Sequence, residues 1–140
     1  MLKKFYQIAV YPYTVFLLYL MFLGMGRFQF DENVIRIEPV FSTLSFIENT
    51  IRWWDIARIV LGNVLMFIPF GFLGWVFPKL KDLKSLMYAF ISAIFIVEGM
   101  QYFTRLGTFE IDDILLNSLG VFIGYQIRRF IERKFIRLVL

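Results

Sequence analysis

Four long apolar runs, separated by polar stretches, organise this chain. The runs cover residues 5–25, 58–77, 85–103 and 112–131. At about 1.5 Å of rise per residue, ~20 helical residues cross the hydrocarbon of a bilayer. Each run is therefore predicted to be a transmembrane helix, and the chain an all-α membrane protein with four transmembrane helices in a single domain, residues 1–140. The first run follows Lys3 and Lys4. It exceeds the roughly 7–15 apolar residues of a signal peptide, and Gly24-Met25-Gly26 is a poor cleavage site, so it reads as a retained span. Pro12 is expected to bend this helix or to mark its interfacial start. In the second run Pro69 interrupts the backbone bonding, and Gly71 permits close helix approach.

The connections differ in length. Pro78-Lys-Leu-Lys-Asp-Leu-Lys84 is a short basic turn, and residues 104–111 form a short loop. The first connection, residues 26–57, is too long to be an idle turn. Its residues 28–41 look irregular. Beyond them Leu44, Ile47, Ile51 and Trp54 recur on one helical face, and Glu48, Arg52 and Asp55 on another. Ser45 with Glu48 fits a capping box, and Trp53 and Trp54 suit headgroup depth, so a short amphipathic helix is predicted over 45–54, lying at or dipping into the membrane surface or else packed on the other spans.

Charge then orients the spans. Lys3, Lys4, Lys79, Lys81, Lys84, Arg128, Arg129, Arg133, Lys134 and Arg137 fall on one side of a four-span arrangement; Arg27, Arg36, Arg52, Arg58 and Arg105 fall on the other. Positive residues favour the cytoplasm, which predicts both termini inside and the long first loop extracytoplasmic. The net charge of +4 is thus explained by topology, and no nucleic-acid partner is expected. The chain has no Cys and no His, which excludes disulfides, zinc sites of the Cys or His kind and a Ser-His-Asp triad. No cofactor motif and no metal site are expected.

The candidate chemistry lies in polar residues inside the apolar runs. Ionisable and amide side chains at membrane depth are costly and are functional candidates by default. Asn63 lies in the second span, Glu98 and Gln101 in the third with Arg105 seven residues beyond Glu98, and Asn117 in the fourth. Asp112 and Asp113 open the fourth span, where a carboxylate also caps a helix and opposes its dipole. Asp113, Asn117, Gly120 and Gly124 recur along one stripe, and Gly120-x-x-x-Gly124 is a small-residue packing seam. With the predicted orientation all these polar groups fall in the outer half of the membrane, and one shared cluster is the economical arrangement. A satisfied polar network that only holds the helices in register is the competing explanation.

Three stretches carry a resemblance. Asn63-Val-Leu-Met-Phe-Ile-Pro69-Phe-Gly71-Phe-Leu73, Glu98-Gly-Met-Gln101 and Ile111-Asp112-Asp113-Ile-Leu-Leu-Asn117-Ser-Leu-Gly120-Val-Phe-Ile-Gly124 together resemble the VanZ-like membrane proteins. The resemblance implies a multi-pass protein of the bacterial cytoplasmic membrane. The founding member of that family confers low-level resistance to the glycopeptide teicoplanin. It also implies that Asn63, Pro69, Gly71, Glu98, Gln101, Asp112, Asp113, Asn117, Gly120 and Gly124 occupy family-typical positions. The chain departs from the family pattern at Arg36-Ile-Glu38-Pro-Val40 and at Glu110.

The expected function is binding at the outer face of a glycopeptide, a cell-wall precursor or a membrane lipid headgroup. Glu98, Asp112 and Asp113 would supply charge, Asn63, Gln101 and Asn117 amides, and Arg105 a partner for a carboxylate or phosphate. The alternatives are a membrane enzyme acting on a lipid-linked substrate through clustered carboxylates, and a structural accessory of another membrane protein.

Overall fold

The computed structural model describes residues 1–24, 29–36 and 61–139. Its helices are α1 (Leu2–Phe22), α2 (Leu61–Trp75), α3 (Leu83–Thr104) and α4 (Ile111–Val139). The amphipathic helix expected over 45–54, with Glu38, Val40 and the start of the second span, lies outside the described residues.

Two of these helices, α1 and α3, are long and apolar enough to cross a membrane. Their exposed side chains include Phe5, Ile8, Val15 and Phe16 on α1 and Tyr88, Ile91 and Phe95 on α3. Apolar surface of this extent is foreign to a water-facing monomer and suits lipid. The interior is also apolar. Leu17, Phe67, Phe70, Leu86, Phe90, Ile94 and Val121 form one buried cluster drawn from all four helices. Phe67 and Phe90 meet edge to face at its centre, with ring centroids 5.6 Å apart.

Contacts fix the relative directions. Tyr13 bonds the carbonyl of Met66, and Gln7 that of Trp75, so α1 and α2 run in opposite senses. Gln101, near the end of α3, bonds the carbonyl of Met21, near the end of α1, so those two run together. Gly120 packs on Val64 and Gly124 on Ile68 and Gly71, so α4 runs with α2. The beginning of α1, the turn after α2 and the distal half of α4 therefore share one end. The end of α1 and the α3–α4 connection share the other.

Local chemistry accounts for several departures from expectation. Helix α1 begins at Leu2 and passes through Pro12 without ending, so this proline marks no helix start. In α2 the α-helical turns give way to a 3₁₀ segment, Ile68–Trp75, with Pro69 in its first turn. Pro69 has no N–H, so Leu65 loses its α-type donor and Met66 its 3₁₀-type donor. The Tyr13 hydroxyl donates to the Met66 carbonyl at 2.6 Å, and the Tyr6 hydroxyl to that of Pro69 at 2.7 Å. The freed Met66 carbonyl is thus met by a hydroxyl from α1, and a second hydroxyl from α1 bonds Pro69 itself.

Helix α3 starts two residues earlier than expected because Asp82 caps it, accepting from the Ser85 N–H at 2.8 Å. That bond holds the Asp82 carboxyl below the ordinary carboxylate range. Helix α4 runs from Ile111 through Val139, so the basic tail extends the fourth helix beyond residue 131. The segment after α1 is not wholly irregular. Ile35–Arg36 (β1) pairs in parallel with Phe109–Glu110 (β2), with Ile35 opposite Phe109. A two-residue ladder has too little alternation to be legible in sequence.

Helices α2 and α4 approach most closely. A Cβ at Gly71 would overlap the backbone of Gly124 and Tyr125, one at Gly120 the carbonyl of Val64, and one at Gly124 the carbonyl of Ile68. Backbone lies on backbone along this seam, which only glycine allows.

Candidate functional site

At the end shared by the α3–α4 connection, α2 and α4 place Asn63 and Asp113 together. The Asn63 amide donates to Asp113 Oδ1 at 2.7 Å. Asp112 and Asp113 both lie in the first turn of α4, where a carboxylate opposes the helix dipole. One turn further, Asn117 and Ser118 are buried, and neither Asn117 Oδ1 nor Ser118 Oγ has a hydrogen-bond partner among the described residues. On α3, Glu98 is 1% exposed and Gln101 is also buried, its amide given to Met21. Glu98, Asp112 and Asp113 are all engaged by neighbours.

The helical face that carries Glu98 and Gln101 does not carry Arg105. Helix α3 ends at Thr104, and Arg105 turns into the left-handed region with φ 59°. The i, i+7 relation to Glu98 fails because the helix stops before it is completed. Arg105 is exposed and clasps the segment after α1. Its Nε donates to Asn33 Oδ1 at 3.1 Å, its Nη1 donates to the Asp31 carbonyl at 3.2 Å, and its own carbonyl accepts from Phe30 N–H at 2.9 Å. Glu110, in β2, accepts from Thr108 at 2.6 Å.

Of the polar groups read from the sequence, then, the structure joins Asn63 to Asp113 directly and buries Glu98, Gln101 and Asn117 between helices. It sets Arg105 apart at the rim. Two described cavities lie elsewhere: an apolar crevice of about 300 Å³ against α1, α2 and α3, and a basic recess of about 600 Å³ at the opposite end. No group of three or more acidic side chains among the described residues is placed to hold a metal ion.

One buried ion escaped the sequence reading. Arg128, counted there as a topology-setting charge, is 0% exposed. Its guanidinium lies against Gly74, where a Cβ would collide with Nη1, and sits 4.8 Å from the centre of the Tyr125 ring. Nη2 donates to the Lys81 carbonyl at 2.5 Å, and Nε stands 3.8 Å from Glu132 Oε1. That same oxygen accepts from Trp75 Nε1 at 2.8 Å. Nε and Nη1 have no hydrogen-bond partner among the described residues. The available signal was spacing: Asn117, Gly120, Gly124 and Arg128 follow one another at three, four and four residues along a single face.

No curated protein and no solved structure matches the chain. A family model does, that of VanZ/LLP1, over residues 10–132. This stretch takes in the α2–α4 glycine seam, Asn63 with Asp113, and the buried Glu98, Gln101 and Asn117. The chain belongs to the VanZ/LLP1 family.

Proposed function

We propose that this chain is a multi-pass protein of the bacterial cytoplasmic membrane that contributes to resistance to glycopeptides of the teicoplanin kind. In this reading it is one four-span domain over residues 1–140, with both termini cytoplasmic. The observation that carries it is family membership across most of the chain, in a molecule with two helices long and apolar enough to span a bilayer. The antiparallel alternation of α1 to α4 is compatible with four crossings.

Within that reading the polar groups of α2, α3 and α4 act at the outer leaflet on a glycopeptide, a cell-wall precursor or a lipid headgroup. Glu98, Asp112 and Asp113 supply negative charge, and Asn63, Gln101 and Asn117 supply amides. Arg105 stands at the rim. Asn117 Oδ1 and Ser118 Oγ, buried without hydrogen bonds among the described residues, support this reading, because buried polar atoms ordinarily find partners. A second reading, a network that only holds helices in register, is favoured by the burial of Glu98 and Asn117, neither of which lines either described cavity.

The test is susceptibility to teicoplanin and vancomycin in cells with and without the protein. Reduced susceptibility to teicoplanin in the expressing cells is the expected result. Equal susceptibility in both strains would remove the resistance reading.

A further inference from the structure

The basic recess lies at the end of the molecule opposite Glu98 and Asn117. Its walls come from three places far apart in sequence: Lys3 at the start of α1, Trp75 and Lys81 around the turn after α2, and Arg129, Glu132 and Arg133 on α4. Four of these six side chains are cations. The one carboxylate is already committed, since Glu132 accepts from Trp75 and faces Arg128. Arg128 is itself fully buried, against Gly74 and the carbonyl of Lys81, with two nitrogens lacking acceptors among the described residues. Among the described residues that line it, four cations stand against one carboxylate, so the recess carries net positive charge. Such a site lowers its energy by taking an anion.

Depth narrows the kind of anion. The recess sits beside the first residues of α1, a helix of membrane-spanning length, and so at the level where a bilayer meets water. Lys and Arg beside apolar side chains at that level match a phosphate with an apolar tail. The cations suit the phosphate oxygens, and Leu2 and Ile131, which also line the recess, suit the first methylenes. Basic pockets between helices at the cytoplasmic face bind lipid headgroups in this way.

We propose that this recess is a phosphate site for the headgroup of an anionic phospholipid, held by Lys81, Arg129 and Arg133 with Lys3 at its edge. The inference rests on the membrane-spanning reading of α1 but not on the resistance reading.

The experiment uses the full chain in neutral detergent, with thermal stability followed as phosphatidylglycerol, phosphatidylcholine or inorganic phosphate is added. Phosphatidylglycerol should stabilise the wild type and phosphatidylcholine should not. The triple variant Lys81→Gln/Arg129→Gln/Arg133→Gln should need at least about tenfold more phosphatidylglycerol for the same shift, since each cation near an anionic headgroup contributes roughly a factor of five. A control variant, Lys4→Gln/Lys79→Gln/Lys84→Gln, removes as much charge at the same end but outside the recess, and should behave as wild type. Stabilisation by inorganic phosphate alone, lost in the triple variant, would keep the phosphate site but assign it a soluble ligand, overturning the lipid assignment. Equal responses to the two lipids, or equal losses in the triple and control variants, would overturn the site. Teicoplanin susceptibility is not read in this experiment, so its outcome is independent of the resistance phenotype.

Discussion

Arg128 shows how a single residue can be misread when only its neighbours in sequence are considered. It follows Ile127 at the edge of an apolar run and precedes another arginine, which is the usual setting of a solvated, topology-determining charge. Yet its position four residues after Gly124 continues the face that packs on α2, and Gly74 leaves the space its guanidinium fills. Burial makes this cation expensive to strand and its environment expensive to disrupt. Replacement by alanine removes the donor to Lys81, leaves Glu132 without its positive neighbour and opens a cavity. A loss of about 3–5 kcal/mol is expected. Denaturant or thermal unfolding of Arg128→Ala in detergent measures it. A change under about 1 kcal/mol would show that Arg128 behaves as a surface charge.

At the scale of elements, the legible part was the placement of helices and the stripe on α4. Run length placed α1 and α3 to within a few residues, because twenty apolar positions leave little latitude. The 3₁₀ segment of α2 was not legible. Pro69 announces that one donor is missing, but the chain then chooses between a kink and a tighter helix according to what can serve the freed carbonyls. The group that serves Met66, the Tyr13 hydroxyl, comes from α1, 53 positions away. Glycines illustrate the same dependence on context. In a helix interior alanine is ordinarily favoured over glycine by about 1 kcal/mol. Gly99, with nothing within 4 Å of its would-be Cβ, should follow that rule, and Gly99→Ala should be neutral or stabilising. Gly124→Ala should reverse it, because its Cβ meets the Ile68 carbonyl and lies 3.1 Å from the Gly71 Cα. Overpacking there should cost about 1–3 kcal/mol. Melting the two variants side by side checks the sign of each. Gly124→Ala as stable as Gly99→Ala would mean that α2 and α4 do not touch as described.

For the whole molecule, the alternating directions of the four helices make a definite topological statement once a membrane is supplied. The segment 29–36 and the α3–α4 connection are joined by Arg105 and by the β1–β2 ladder, so they must lie on one side together. In the proposed orientation that side is the exterior. Because the chain has no cysteine, a single Glu32→Cys variant reports directly. Glu32 is exposed, and its cysteine should react with an impermeant maleimide in intact cells. Labelling only after the membrane is opened would invert the molecule, placing Asn63 and Asp113 towards the cytoplasm and the basic recess outside.

The same scale decides between the two meanings of the buried polar groups. Glu98, Gln101 and Asn117 were legible as polar positions inside apolar runs, and the structure buries all three. Their partners were less so, since hydrogen bonds such as Gln101 to the Met21 carbonyl join positions 80 apart and depend on helix rotation. A network that merely aligns helices should lose its role only when the fold is lost. A site should lose its role while the fold persists. The decisive measurement is the teicoplanin susceptibility of cells producing Glu98→Gln, with membrane level and melting temperature matched to wild type. Susceptibility restored to that of cells lacking the protein is the predicted result. Full resistance from the matched, folded variant would contradict the assignment of Glu98 to a functional site.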